Sequence, residues 1–181
     1  MEMIVLVDRD GHEIGTAPKL ASHHAQTPLH RAFSCYVFRR DAKLLVTRRA
    51  LVKKVWPGVW TNSFCGHPGP GEDTPDAIVR RAQFELGLTV SSIQNILPTY
   101  TYKTPPFNGI IEHEFCPVYV AMAESREVPN PAEVGESEWM SWSEYSQALV
   151  SRSSEFSYWA KDQHAALLKS SLFNDFINQL H

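Results

Sequence analysis

The sequence predicts an α+β fold on three observations. Short apolar runs bounded by turn residues recur between Ile4 and Cys65 and read as strands. A helix is signalled at both ends between Thr74 and Gly87. Strands and helices then mix without a βαβ rhythm, which points to an α+β fold.

The elements follow in order. Ile4-Val5-Leu6-Val7 runs into the turn Asp8-Arg9-Asp10-Gly11, and His12 to Thr16 is the return strand. Lys19 to Leu29 is polar, carries His23 and His24, and reads as helix or loop. Ala32 to Phe38 and Leu44 to Thr47 form a hairpin about the turn Arg40-Asp41-Ala42-Lys43, and Trp56-Pro57-Gly58 then breaks the chain before an extended Val59 to Cys65. In the helix, Thr74 caps, Pro75 suits the first turn, Asp76 suits the dipole, and Gly87 ends it. Ile78, Ala82 and Leu86 recur every fourth residue and make its buried stripe. Ile110 to Ala123 is the longest strand, with Pro117 marking an edge or bulge. Glu138 to Trp142 is a further strand and Glu144 to Val150 a helix. Leu168, Leu172, Phe173, Phe176, Ile177 and Leu180 mark an amphipathic C-terminal helix. With no repeat, linker or low-complexity tract, the expectation is a single domain over 1–181.

Composition narrows the class. Hydrophobic content of 43% and charged content of 20% are ordinary for a globular chain. A formal net charge of -3 argues against nucleic acid as the main partner. Cys35, Cys65 and Cys116 are odd in number, widely spaced and without a CxxC pair. That excludes a disulfide framework or thiolate zinc knuckle and fits reduced thiols in a cytoplasm. No apolar run approaches the roughly 20 residues that span a bilayer, and Met1 to Val7 is no signal peptide. A small-molecule partner is expected, with neither nucleic acid nor membrane, from a monomer or homodimer.

The most specific signal is Gly66-His67-Pro68-Gly69-Pro70-Gly71-Glu72, continued through Arg80-Arg81-Ala82-Gln83-Phe84-Glu85-Leu86-Gly87-Leu88. Glycine, five residues, glutamate, seven residues, arginine and a closing Glu-x-Gly-apolar resemble the frame of a Nudix box. Such a box is a loop-helix-loop that holds metal ions against a diphosphate. The resemblance implies a Nudix-type mixed sheet packed between helices. Arg81 and Phe84 stand where a Nudix hydrolase carries glutamates, so a diphosphate is gripped and something other than cleavage follows.

Several residues around this frame carry chemistry. Glu85 is the carboxylate left at its place, either as a magnesium ligand or as an ion pair with Arg81 four residues earlier. His23, His30 and His67 from three segments are joined by Glu112 and Glu114, two apart on a strand and so on one face. Paired strand acids are often only a wet side, yet Ile110, Ile111, Phe115 and Val118 flank these, and buried acids need partners. A three-histidine, two-glutamate set suits manganese, zinc or magnesium. Cys65, beside the phosphate loop, is either a small buried hydrophobe or a reactive thiol. Cys35 and Cys116 read as core. Lys19, Arg48, Arg49, Lys53, Lys54 and Arg81 either clamp phosphate or form a solvated basic surface. Trp60, Tyr102 and Trp159 are core aromatics or faces for a cationic substrate.

Together with Leu44-Leu45-Val46-Thr47-Arg48-Arg49-Ala50, Trp56-Pro57-Gly58-Val59-Trp60-Thr61-Asn62-Ser63, Cys65-Gly66-His67-Pro68, Glu85-Leu86-Gly87 and Glu112-His113-Glu114, the chain resembles the bacterial type I isopentenyl-diphosphate isomerases, from about Ile4 to Trp159. That family interconverts isopentenyl and dimethylallyl diphosphate in isoprenoid biosynthesis. The resemblance implies Cys65 and Glu114 as the proton-transferring pair, assisted by Tyr102. It implies His23, His30, His67, Glu112 and Glu114 as ligands of one metal, Mn2+, Zn2+ or Mg2+. It also implies Glu85 and the Cys65 carbonyl as ligands of an Mg2+ bridged by the diphosphate. Trp159 would face the cationic intermediate, and Lys19, Arg49, Lys53 and Arg81 would contact the diphosphate. His24 is the alternative to His23, and His113 should face the other side of its strand. The resemblance leaves open which of Cys65 and Glu114 protonates. The rival reading is a Nudix hydrolase of a nucleoside diphosphate derivative.

Overall fold

The structure, a computed structural model, describes residues 2–180. A first sheet takes the order β2-β1-β3-β10-β9, from β1 (Met3–Val7), β2 (Glu13–Pro18), β3 (His30–Arg31), β9 (Thr101–Lys103) and β10 (His113–Phe115). A second takes the order β12-β5-β4-β11-β8, from β4 (Phe33–Phe38), β5 (Lys43–Arg49), β8 (Val90–Leu97), β11 (Val118–Ala123) and β12 (Val134–Ser141). Two short strands, β6 (Trp60–Thr61) and β7 (Phe64–Gly66), add onto β5 and β4. The helices are α1 (Lys19–Ser22), α2 (Thr74–Leu86), α3 (Trp142–Ser151), α4 (Tyr158–Leu167) and α5 (Ser171–Gln179).

Both faces of the second sheet are covered, and strand alternation divides its side chains between them. Phe33, Cys35, Val37, Leu45, Tyr119 and Ala121 pack with Ile78, Ala82 and Leu86 of α2. Tyr36, Phe38, Leu44, Val46, Val118 and Val120 pack with Tyr145, Leu149, Ala160, Phe173 and Phe176 of α3, α4 and α5. This explains why Ala32 to Phe38 reads as a continuous apolar run: a strand buried on both faces has no wet positions.

The sheets meet where β3 leads into β4 and β10 leads into β11. The two double segments run parallel in one unbroken register, with Glu114 opposite His30, Phe115 opposite Arg31 and Val118 opposite Ser34. Across the break the Ala32 and Ser34 N–H groups donate to the Phe115 and Pro117 carbonyls at 2.9 and 3.1 Å. The single strand expected over Ile110 to Ala123 is therefore two, because Pro117 brings no N–H to a ladder and the sheets part there.

Three further expectations are corrected. The residue ahead of α2 is Asp73, which makes no side-chain cap bond, and Thr74 is already helical. The strand expected at Glu138 to Trp142 begins at Val134 and yields at Trp142 to α3, which Ser141 and Glu144 start with a capping box. In the C-terminal segment Leu168 and Leu172 are exposed, and α5 docks through Phe173 and Phe176. Gly87 closes α2 in the left-handed region at φ 56, its N–H donating to the Gln83 carbonyl at 3.0 Å while the Leu88 N–H donates to the Ala82 carbonyl at 3.2 Å. Phe173 rests against Trp142 at 4.6 Å and Phe38 at 6.4 Å between ring centroids. Phe173→Ala should cost about 3–5 kcal/mol, read as a lowered urea midpoint; an unchanged midpoint would show that α5 is not part of the cooperative core.

Candidate active site

Three adjacent strands build one half of the site. β9, β10 and β3 set Tyr102 opposite Glu114 and Glu114 opposite His30, and side chains at paired positions share a face. The Tyr102 hydroxyl donates to Glu114 Oε2 at 2.8 Å. Glu114 Oε1 lies 3.1 Å from His67 Nε2 and 3.7 Å from His30 Nε2. Glu112 points the same way and brings Oε2 to 3.3 Å from His23 Nε2. Its backbone is pinned by exchange with Thr104, whose hydroxyl accepts the Glu112 N–H at 3.0 Å. His113, between the two acids, is only half-buried.

The tautomers of two histidines are fixed by the main chain. His23 Nδ1 lies 2.7 Å from the Lys19 carbonyl and His30 Nδ1 2.9 Å from the Pro28 carbonyl. A carbonyl only accepts, so Nδ1 carries the proton and each Nε2 turns a lone pair inward. The neighbouring His24 Nδ1 instead accepts the Gln26 N–H at 3.0 Å, and it is His23 that joins the cluster. His30 Nε2 and His67 Nε2 approach to 3.2 Å. The donor atoms of His23, His30 and His67 lie within 4.8 Å of one another, as do those of His30, Glu112 and Glu114. Among the described residues, Glu112 Oε2 and His67 Nδ1 are buried without a hydrogen-bond partner. Nitrogen lone pairs and carboxylate oxygens aimed at one point repel unless a cation lies between them. Imidazole and carboxylate donors in this mixture fit a divalent ion.

Electrostatics sharpen this picture. Burial drives His67 down to about 4 against the opposing pull of Glu114, which favours the neutral imidazole. Burial lowers His23 as well, but the Glu112 carboxylate outweighs it and the net shift is upward. Burial pushes Glu114 up, yet the His30 and His67 imidazoles beside it prevail and hold it well below the usual carboxylate range.

The box helix and its loop make the second part. Gly66 has no room for a Cβ, which would meet Arg81 Cγ and Phe33 Cζ at 2.9 Å. Glu72 accepts the Gly69 N–H at 2.8 Å and two Arg80 N–H groups at 2.7 Å, while Arg80 also donates to the His67 carbonyl at 3.3 Å. These two box residues thus hold the loop that carries His67. Arg81 donates to Glu85 Oε1 at 2.9 and 2.5 Å, and its Nη2 lies 3.6 Å from Glu133 Oε2. Glu133 also pairs with Lys53. Of the two roles open to Glu85 the ion pair is the one seen, and Glu85 is in neither ligand group. Burial raises its pKa against the opposing Arg81 charge.

The third part is apolar. Cys65, on β7 opposite Ser34, clusters with Ala32, Tyr102, Cys116 and Trp159, and Trp56, Tyr100 and Tyr158 pack around them. Burial pushes the Cys65 thiol up to about 12, the Ser34 hydroxyl pulling the other way. Trp159 donates its indole N–H to Thr61 Oγ1 at 2.7 Å and meets Trp56 edge-on at 5.9 Å; Trp56 in turn stacks on Phe107 at 4.5 Å. The Arg49 guanidinium lies 5.9 Å from the Trp159 ring centroid and donates to the Val55 and Trp56 carbonyls at 2.9 and 3.1 Å. Lys19 pairs with Glu2 at 2.8 Å. Arg48 pairs with Glu136 and Lys54 is exposed, so neither is gathered here, and Trp60 belongs to the main core. Cys35 and Cys116 are both core as expected, Cys116 in the cluster beside Cys65 and 3.5 Å from Ser34 Oγ.

A loop-helix-loop against a mixed sheet, with His and Glu groups beside it that could hold a divalent ion, defines a Nudix-type protein, and the NUDIX domain family matches residues 28–160. A crystal structure from Deinococcus radiodurans superposes with a TM-score of 0.69 at 18% identity, covering 91% of this chain and 98% of that one. The MutT protein from Methanosarcina mazei does so at 0.57 and 14%, covering 84% and 95%; these likenesses speak for the fold. Among curated relatives, the chain is 51% identical to isopentenyl-diphosphate Delta-isomerase of Agromyces mediolanus, over 87% of this chain and 77% of the relative. It is also 51% identical to that of Paenarthrobacter aurescens, over 94% and 92%. The chain belongs to the isopentenyl-diphosphate Delta-isomerase family within the Nudix fold, a family that implies use of divalent metal. His30→Ala should weaken Mn2+ binding at least about tenfold in a calorimetric titration, and an unchanged affinity would remove the histidine cluster from metal binding.

Proposed function

We propose that the chain, as one domain, interconverts isopentenyl diphosphate and dimethylallyl diphosphate by protonation at one carbon and deprotonation at another. The observation that carries this reading is the placement of Glu114, bonded by the Tyr102 hydroxyl at 2.8 Å, and of Cys65 against one aromatic cluster that contains Tyr102 and Trp159. An alkene is a poor base, so the pocket must present an acid and, for the second carbon, a base. With Glu114 holding charge and Cys65 holding its proton, the resting pair supplies one of each. Tyr102 donates to Glu114 and so steadies the carboxylate's orientation. In the reverse direction the two roles exchange.

The intermediate is a tertiary carbocation, which water would trap as an alcohol. Trp56, Trp159, Tyr102 and Phe107 close the pocket against water and offer aromatic faces to positive charge. Arg49, Lys53, Arg81 and Lys19 are read as the diphosphate contacts. Arg81 is paired with Glu85 and Glu133, and Lys53 with Glu133; a diphosphate would compete with these carboxylates for the same cations.

His23, His30, His67, Glu112 and Glu114 would hold an Mn2+, Zn2+ or Mg2+ ion, and Glu85 with the Cys65 carbonyl an Mg2+ that arrives with the diphosphate. Bound cations neutralise the buried anions and the diphosphate. Hydrolysis is the weaker reading because Arg81 and Phe84 stand where a Nudix hydrolase carries glutamates, and relatives at 51% identity are isomerases.

In deuterated water with magnesium, purified protein should convert isopentenyl diphosphate to deuterium-labelled dimethylallyl diphosphate, followed by proton NMR. Release of phosphate without isomer would establish the hydrolase instead. Cys65→Ser should lower kcat by about a hundredfold or more with an unchanged circular dichroism spectrum; a wild-type rate would take Cys65 out of the chemistry. Exhaustive chelation should abolish turnover and added Mg2+ or Mn2+ restore it, whereas full activity after chelation is incompatible with the ligand assignment.

A further inference from the structure

A chain of buried polar side chains runs behind Cys65, and each bond in it has a determined direction. Asn62 donates both amide hydrogens to main-chain carbonyls, Cys35 at 2.9 Å and Phe64 at 3.0 Å. Its Oδ1 must therefore face the other way, where it accepts from Thr61 Oγ1 at 2.9 Å and from the Cys65 thiol at 3.2 Å. On the opposite side of the sulfur lies Ser34 Oγ at 3.2 Å. Ser34 already accepts the Gln163 Nε2–H at 2.8 Å, and Gln163 Oε1 accepts from the Tyr36 hydroxyl at 3.1 Å. The one hydrogen of Ser34 is thus left for a sulfur, and Cys65 is nearer than Cys116 at 3.5 Å. Ser34, Tyr36, Asn62 and Gln163 are all fully buried, so no water competes for these bonds.

We propose that Ser34 and Gln163 are positioning residues for proton transfer at Cys65: Gln163 turns the Ser34 hydroxyl so that its hydrogen points at the sulfur. The thiol then accepts from Ser34 and holds its one hydrogen on Asn62, until the S–H rotates away from Asn62 towards substrate carbon while the Ser34 bond keeps the sulfur in place. Once Cys65 has given its proton to substrate carbon, the Ser34 hydrogen stays on oxygen and remains bonded to the thiolate. Trp159 and Gln163 lie four residues apart on one face of α4, and both reach the thiol, Trp159 through Thr61 and Asn62 and Gln163 through Ser34. One helix therefore sets the aromatic wall and the direction of the proton together.

The proposal rests on the isomerase reading, and its test separates the two. In Ser34→Ala, kcat should fall about ten- to hundredfold with KM unchanged, since a hydrogen bond to a charged sulfur is lost. Gln163→Met should fall in the same direction, and Ser34→Thr, which keeps the hydroxyl, should recover most of the rate. The Cys65 S–H infrared band, assigned by subtraction of Cys65→Ala, should shift in Ser34→Ala without any substrate present. A parent enzyme that turns over while Ser34→Ala keeps its kcat overturns the proposal, as does a loss that Ser34→Thr fails to recover, or an S–H band that stays in place. If the parent shows no isomerisation, that failure belongs to the functional reading, and the S–H band still decides the hydrogen-bond assignment.

Discussion

A carboxylate taken out of water must be met by donors or cations, and Glu114, only 5% exposed, is met on every side. Tyr102 reaches it from β9, His30 from β3 and His67 from the Nudix loop. None of these residues is near another in sequence, so the pairing of β9, β10 and β3 must be correct before the charge can be buried at all. The parallel register that continues from β3 into β4 and from β10 into β11 is what guarantees it. The same register carries Ser34, and through it Cys65, to the adjoining edge of the second sheet.

The seam divides the pocket's labour. On the side of the first sheet lie imidazoles and carboxylates whose lone pairs converge, an environment suited to cations. On the side of the second lie Trp159, Cys116 and Cys65, where a charged sulfur is disfavoured and the thiol keeps its proton. Reaction between an acid and a base of such different character needs them separated by a substrate's width rather than in contact, since contact would simply neutralise the pair. The Nudix frame serves this arrangement without its hydrolytic carboxylates: Glu72 holds the His67 loop through Arg80, and Arg81 covers Glu85.

Much of this was legible in the sequence where physics is local. The box is a fixed spacing, α2 has Pro75 and Gly87 as punctuation, and the apolar run of β4 announces a strand covered on both faces. The ligand candidates were visible as residue types, and His23 was separable from His24 only by spacing to His30. What stayed hidden depends on distant partners. Pro117 marked an edge or bulge, but no local feature tells that the chain there passes between two sheets, or that Tyr158 to Leu167 is a helix docked on Thr61. Glu133 carries no motif, yet it meets both Lys53 and Arg81. Ser34 and Gln163 left one trace: Ser34 is a hydroxyl inside an otherwise apolar strand, and a buried hydroxyl demands a partner.

The docking of α4 has a bearing on how the chain acquires its activity during synthesis. Every imidazole and carboxylate of the cation cluster, and the whole Nudix loop, precede it in the chain. A polypeptide emerging from its N-terminus could assemble the seam and hold a diphosphate while still lacking Trp159 and Gln163. Such an intermediate would have an open, wet thiol with no fixed proton, and could bind its substrate without generating a cation in the presence of water. The proposed chemistry would then wait on the docking of the last helices, which complete the contacts around Thr61 and Ser34.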